Sequence, residues 1–364
     1  MTHSPPAPDH APARARSALI ALGTRAGRFA RGHRILTAVI ASLVLILALA
    51  LGDLGVLAHR IRHVPVAMPH HASALAEGDT TVPYDGETWL IIGTDSRLSV
   101  PGGPDRYGDA SEDRAGERAD VVVLLQPGPG APRATVLPRD LTLSTGGLQR
   151  ERLATSYLKG PQSTVDLLCS SLGVTTTHLV TIDMAGFASV VDAVGGLTLD
   201  IPEPIRDELS GLDIPTAGTR TLSGIDALAL VRSRHPQILR DGQWTALGEA
   251  EGAQRRSEST GLVMSALMKA LAERASTPWG AHSLAHTVAG RLTTDEGTGL
   301  VDLSRLGWGL AGDGEDSQDS QGASGLDVMT VPAPTQGDSF IALPTQETYS
   351  ALSHRGYAPG TCAR

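Results

Sequence analysis

Three short apolar runs constrain this chain most, because each meets an acidic residue and an arginine at one end. Leu90-Ile91-Ile92 stops at Gly93 and is followed by Asp95 and Arg97. Arg118 and Asp120 stand immediately before Val121–Leu125, and Val136-Leu137 stops at Pro138 before Arg139 and Asp140. Apolar runs of this length bounded by Gly or Pro read as strands of a covered sheet. Ligands of such sheets sit at strand ends. Three Asp/Arg pairs at three strand ends therefore point to one site rich in both carboxylate and guanidinium. Two carboxylates with substrate phosphates are the ligand set Mg²⁺ prefers. Arginines grip phosphate oxygens bidentately and keep their charge when partly desolvated. Together they suit phosphoryl transfer, where catalysis is mainly positioning and charge neutralisation. Taken singly, each pair reads as a solvated salt bridge of little consequence.

The N-terminal fifth sets the location. Residues 1–34 are rich in Pro and Ala and carry Arg14, Arg16, Arg25, Arg28, Arg31 and Arg34, with no acid after Asp9. From Ile35 to Gly52 there is no charge, and Asp53 closes the run. Eighteen such residues can span a bilayer, and the preceding arginines place the N-terminus in the cytoplasm. Everything after the span is then extracytoplasmic. Ala48-Leu-Ala50 resembles a signal-peptide cleavage site, but the long basic segment and the length of the apolar run favour an uncleaved anchor. The net charge of −9 and this topology argue against nucleic acid.

The pattern divides the chain into a basic cytoplasmic tail (1–34), a transmembrane helix (35–52), an extracytoplasmic stalk (53–86), a catalytic domain (87–275) and a helical C-terminal extension (276–364) with a flexible acidic loop at 312–325. Within the domain, residues 98–117 read as a loop beside the site, 127–133 as a hairpin-like turn, and 141–158 show no period. Helices are expected from Gly160-Pro161 to Ser171, over Met184–Val194, from Ser223 to Val231 and over 252–274; strands over His178–Asp183 and Leu197–Ile201. Residues 202–221 and 237–250 read as irregular. Helices are also expected at 281–291 and 301–311, with a late strand at Leu326–Val331 and a last helix at Thr345–His354. Strands alternating with helices give an α/β or α+β fold: a central mixed sheet covered by helices.

Arg232, Arg234, Arg255 and Arg256 flank one loop and form a second cluster. With it, the stretch 88–271 resembles the LytR-CpsA-Psr family of cell-envelope phosphotransferases. The resemblance is carried by Leu90-Ile-Ile-Gly-Thr-Asp-Ser-Arg97, Arg118-Ala-Asp120, Leu137-Pro-Arg-Asp140, Gly186-Phe187 with Val190-Val-Asp-Ala-Val-Gly-Gly196, Leu222-Ser-Gly-Ile-Asp-Ala-Leu228 and Val231-Arg-Ser-Arg234, in that order. It implies a sheet whose covering helices enclose a tunnel for a polyprenyl lipid. It further implies transfer of a glycopolymer from a polyprenyl-pyrophosphate carrier to peptidoglycan in cell-wall biogenesis. Asp95 and Asp120 would hold Mg²⁺, with Mn²⁺ as a substitute. Arg118, Arg139, Arg232, Arg234 and Arg256 would hold the pyrophosphate, Arg97 would join them, and Asp140 would orient Arg139. The chain departs from the family's Asp-x-x-Arg-x-x-x-Gln. With Arg256 as the arginine, Ala253 and Thr260 stand at the acid and glutamine positions; with Arg255 instead, Gly252 and Ser259 stand there; either way Glu249 or Glu251 would have to supply the acid. That departure keeps two alternatives open: a non-catalytic polyprenyl-phosphate binding protein, and a polyprenyl-pyrophosphate hydrolase, an activity that could also accompany transfer.

Cys169 and Cys362 are the two cysteines, and outside the membrane they can pair; a buried free Cys169 and a loose Cys362 are the other reading. Trp244 lies near the arginines and either covers a sugar face or packs down. Ser96 lacks the context of a serine nucleophile.

Overall fold

The computed structural model describes residues 14–72, 84–96, 116–128, 131–146, 148–311, 327–334 and 341–363. Arg97, most of the 98–117 loop and the 312–325 loop lie outside them. The chain forms two compact units, Met1–Val56 and Leu57–Arg364. The described part of the first lies in helix α1 (Arg14–Arg60), whose segment Leu36–Arg60, exposed over most of its length, has the length and apolarity to cross a membrane. Its 25 residues extend about 37 Å at 1.5 Å each, against roughly 30 Å of hydrocarbon. This is consistent with a single-pass membrane protein.

The second unit is built on a seven-stranded mixed sheet. Its strands in chain order are β1 (Arg62–Val64), β2 (Trp89–Thr94), β3 (Ala119–Gln126), β4 (Arg133–Leu137), β5 (His178–Ile182), β6 (Leu292–Asp295) and β7 (Asp327–Thr330). The spatial order is β1-β6-β5-β2-β3-β4-β7. The pairs β2–β3, β3–β4 and β5–β6 are antiparallel; β1–β6, β2–β5 and β4–β7 are parallel. The period of two sends alternate side chains to opposite faces. Leu90, Ile92, Val122 and Leu124 join one core with Val165, Leu168 and Leu172 of helix α2 (Pro161–Leu172) and with Leu352 of the last helix. Trp89, Val123, Leu125 and Val136 join another on the opposite face. That face is covered by Met264, Leu303, Leu306 and Leu310.

A third core lies beside the sheet. Helices α3 (Met184–Ala193) and α4 (Gly224–Arg232) pack there with Leu197, Leu199, Ile201, Ile205, Ile214 and Ile238. Asp183 and Ser223 cap these helices, accepting from Gly186 N and Asp226 N. Helix α5 (Glu249–Ala275) closes this core with Val263 and Leu267. Helices α6 (Pro278–Ala289) and α7 (Leu300–Ala311) follow, and α8 (Gln346–Ser353) comes last.

Several expectations need correction. Residues 62–64 and 70–71 fall in the expected stalk, yet β1 is an edge strand of the sheet and His70–His71 pairs with Cys362–Ala363. Their polarity misleads because an edge strand is bonded on one side only. Residues 276–364 are no appendage, since β6 and β7 are strands of the central sheet. The aperiodic stretch 141–158 contains a hairpin, Thr142–Gly146 with Gln149–Arg152, and the helical turn Leu153–Ser156. Residues 202–221 supply three short strands. Residues 237–250 hold a hairpin, Gln237–Arg240 with Gln243–Ala246. Its turn is Asp241-Gly242, both with positive φ (50° and 78°), the dipeptide that favours a two-residue hairpin loop. Cys169 and Cys362 form a disulfide that ties the C-terminal strand to α2.

Candidate functional site

The register brings the three strand ends to one edge. Thr94 pairs with Ala119, Val122 with Leu137, and Gly93 with Ile182. Asp95 follows β2, Arg118 precedes β3, Asp120 is the second residue of β3, Arg139 and Asp140 turn out of β4, and Asp183 follows β5. Arg139 is fixed by its backbone: its carbonyl accepts from Ala154 N at 2.8 Å, so the helical turn at 153–156 holds it.

The charges interlock. Asp95 Oδ1 accepts from Arg118 N at 2.6 Å, and Arg118 Nη1 stands 3.6 Å from Asp95 Oδ2. Arg139 Nη1 donates directly to Asp120 Oδ1. Arg139 Nε is buried without a hydrogen bond and lies 3.5 Å from Asp140 Oδ1. From the second cluster, Arg234 Nη2 lies 3.8 Å from Asp120 and Arg256 Nη2 3.9 Å from Asp140. Burial lowers the pKa of both Arg234 and Arg256, and the positive charge of Arg139 adds to it. Two guanidiniums are thus held close to a third, with carboxylates only at long range. An anion entering here would relieve them.

Arg139, Arg232, Arg234 and Arg256, with Asp120 and Asp140, line a cavity of about 540 Å³ between the sheet and the helices α3, α4 and α5. The rest of its wall is mainly apolar and includes Ile91, Val136, Phe187, Leu228, Val263 and Met264. The arrangement is a hydrophobic pocket with a basic end. Asp95 and Arg118 pair with each other at the neighbouring strand end and do not line it. Arg97 lies outside the described residues.

Some residues were invisible in the sequence. Asp207, 2% exposed, accepts through Oδ2 from Ser233 Oγ at 2.8 Å and from the backbone N–H groups of Arg234 and His235 at 2.9 Å. It clamps the loop that carries Arg234. Arg152 Nη1 reaches Asp140 at 3.6 Å from a hairpin without apolar periodicity. Other groups resolve otherwise. Arg255 pairs directly with Glu203, so Arg256 is the arginine that faces the cavity. Glu251 pairs with Arg240 at 3.1 Å, and Thr260 Oγ1 donates to the Arg256 carbonyl of its own helix. Lys159 pairs with Glu151 at 2.7 Å. Trp244 packs under Arg206, whose guanidinium lies 4.4 Å from the ring centre.

The carboxylates suit a divalent cation. Burial raises the pKa of Asp95, outweighing the Arg118 hydrogen bond, and the charge of Asp120 raises it further. Asp95 therefore feels Asp120 as a like charge. A cation shared by the two would remove that repulsion, and phosphate held by the adjacent arginines would complete an oxygen ligand set.

Comparison with known proteins follows the same lines. The model of the LytR_cpsA_psr family matches residues 69–330. The "Probable cell wall biosynthesis protein LcpB" of Corynebacterium glutamicum is 29% identical over 231 residues, 62% of this chain and 52% of that protein. This chain thus spans about half the length of that relative. The "Polyisoprenyl-teichoic acid--peptidoglycan teichoic acid transferase TagV" of Bacillus subtilis is 30% identical over 123 residues, 31% of each chain. Among solved structures, the "LytR-Csp2A-Psr enzyme from Actinomyces oris" is 45% identical with a TM-score of 0.68, covering 84% of this chain and 98% of that one.

Proposed function

The chain belongs to the LytR_cpsA_psr family, and on that premise we propose that it transfers a glycopolymer from a polyprenyl-pyrophosphate carrier to peptidoglycan at the outer face of the cell membrane. One observation carries the reading: an apolar cavity of about 540 Å³ that ends in Arg139, Arg232, Arg234 and Arg256. A polyprenyl chain needs the apolar body and its pyrophosphate the basic end. The name of TagV, which records transfer of teichoic acid to peptidoglycan from a polyisoprenyl-linked donor, supports the same reaction class. Anchoring by α1, with the basic N-terminal segment in the cytoplasm, puts the second unit on the side where peptidoglycan lies.

The residues divide the work by charge. Arg234 and Arg256 hold the pyrophosphate from the helix side, and Arg139 from the sheet side. Asp120 and Asp140 fix Arg139, and Asp207 fixes the loop of Arg234. Asp95 and Asp120 would hold Mg²⁺ or Mn²⁺, which when bound adds positive charge beside the phosphates. An acceptor hydroxyl attacks the phosphorus nearer the sugar. The new P–O bond forms as the bridging P–O bond breaks, polyprenyl phosphate leaves with the bonding electrons, and the hydroxyl proton passes to solvent.

The test uses the full chain with a polyprenyl-pyrophosphate-linked oligosaccharide and Mg²⁺. Release of polyprenyl phosphate is followed with and without peptidoglycan fragments, for the wild type and for Asp95→Ala. Release coupled to sugar transfer and lost in the variant supports the proposal. Release at an unchanged rate without acceptor makes the protein a hydrolase. The binding-protein reading is favoured by one observation, that Thr260 spends its hydroxyl on its own helix where the family places glutamine. Tight donor binding without release under any condition would establish it.

A further inference from the structure

Asp120 is asked to serve two partners. The reading above gives it a share of a divalent cation, yet its Oδ1 accepts directly from Arg139 Nη1. Asp95, the other carboxylate of that pair, is engaged as well. It accepts from Arg118 N at 2.6 Å and stands 3.6 Å from Arg118 Nη1. Arg139 is committed in the same way, since the reading above also gives it a phosphate to hold. The acids for the cation and an arginine for the phosphate thus neutralise one another.

Moving either member of the Asp120–Arg139 pair alone is costly, because the two side chains are only 18% and 13% exposed. If Arg139 turns away, Asp120 is left as a bare charge near Asp95. Burial, and after it the charge of Asp120, already raises the Asp95 pKa. If Asp120 turns away, Arg139 is left against Arg234 and Arg256. Burial, and then the charge of Arg139, already lowers the pKa of both. An anion on Arg139 together with a cation on Asp120 leaves neither charge bare. Two ligands that each compensate the charge the other exposes are coupled, and the coupling is reciprocal.

The geometry permits the exchange. The backbone of Arg139 is held by Ala154 N, which donates to its carbonyl at 2.8 Å. Its Nε is buried without a hydrogen bond, 3.5 Å from Asp140 Oδ1, and the residue lines the cavity. A guanidinium that gives up Asp120 therefore keeps Asp140 beside it and brings a buried donor to a phosphate oxygen. Arg234, at 3.8 Å, is too far to replace Arg139 on Asp120 by a hydrogen bond without moving.

We propose that Arg139 exchanges partners: it covers Asp120 until a lipid phosphate takes it, and only then is Asp120 open to a divalent cation. The inference rests on the cation reading above and deepens it. It makes the order of binding phosphate first, cation second.

The test measures Mn²⁺ binding to the full chain in detergent, from the loss of the free-ion electron-resonance signal. Geranylgeranyl phosphate can touch both arginine and metal. Geranylgeranyl sulfate engages arginine but is a poor metal ligand, so it separates the exchange from direct bridging. Calorimetry confirms that each lipid binds. Arg139→Gln is a second, independent arm, with thermal unfolding to report its fold. The wild type should bind Mn²⁺ weakly alone and about tenfold more tightly with either lipid. Arg139→Gln should bind Mn²⁺ tightly without lipid and gain nothing from the sulfate. Tightening by the phosphate alone means direct bridging and overturns the exchange. A folded Arg139→Gln that binds Mn²⁺ no better than the lipid-free wild type overturns it too. Mn²⁺ that binds under none of these conditions defeats the cation reading itself, and the exchange falls with it.

Discussion

Arg255 and Arg256 are neighbours on one helix and equally covered, with 24% and 25% of their side chains exposed, but they stand in different electrostatic regions. Arg255 touches Glu203, and that pair is complete. Arg256 faces the cavity, where Asp140 is 3.9 Å away and is approached also by Arg139 and Arg152. A salt bridge on the first side serves the fold. The second side has more guanidinium than its carboxylates can neutralise, inside a chain whose net charge is −9. That local reversal, at the end of an apolar cavity, separates a binding arginine from a structural one.

The comparison can be broken at its strongest point first. Arg139→Ala removes the direct partner of Asp120 and a neighbour of Asp140, two carboxylates with side chains under one fifth exposed. Losing one member of such a pair costs about 3–5 kcal/mol. Denaturant unfolding should show a loss of that order, and binding of polyprenyl phosphate should disappear.

The second experiment sets the neighbours against each other. Arg256→Ala should weaken polyprenyl-phosphate binding about tenfold to hundredfold, the worth of a charged hydrogen bond of about 1.5–3 kcal/mol. Arg255→Ala should leave affinity unchanged and cost at most about 1 kcal/mol of stability, because its pair is partly exposed. Equal effects on affinity would erase the distinction between the two sides.

A smaller effect sharpens the account of how the basic end is held. Asp207→Asn weakens the acceptor of three hydrogen bonds to residues 233–235. Affinity for polyprenyl phosphate should fall in the same direction as in Arg234→Ala but less, by about 1 kcal/mol. If Asp207 only stabilised the fold, unfolding would shift and the affinity of the folded protein would not.

The smallest effect is a pH dependence. Asp95 keeps its proton to higher pH than an ordinary aspartate because of burial and the charge of Asp120. Without metal, its contribution to stability is fully present below the unfolded-state value and is lost as pH rises through the raised folded value. Mg²⁺ competes with that proton, so the metal-induced rise in Tm should shrink as pH falls through the same raised value. Asp95→Asn should remove both trends. Thermal unfolding across the acid range, with and without Mg²⁺, measures them.

The two regions also differ in what the sequence discloses. The strand-end carboxylates and arginines are legible because buried strands are short apolar runs and their ends are marked by Gly93 and Pro138. The small sheet beside α4 is not, since Ile205–Asp207 and Leu212–Ile214 are three residues each and carry no period long enough to recognise. Asp207 is hidden with them, although Asp241-Gly242 advertised the adjoining hairpin. The choice between Arg255 and Arg256 also lies beyond pattern. Adjacent helical residues point about 100° apart, and only packing decides which of them meets the cavity. Strands β1 and β6 escape notice because Arg62–Val64 and Leu292–Asp295 are short and largely polar.

The most direct test compares affinities of the full chain for a polyprenyl pyrophosphate and for the polyprenol of the same length. The apolar body of the cavity can hold either, but only the pyrophosphate engages Arg139, Arg234 and Arg256. At least about a hundredfold preference for the pyrophosphate is predicted, from two charged hydrogen bonds at about 1.5 kcal/mol each, and it should collapse in the Arg234→Ala, Arg256→Ala double variant. Equal affinity for the two lipids, or a preference that survives in that variant, would contradict the account.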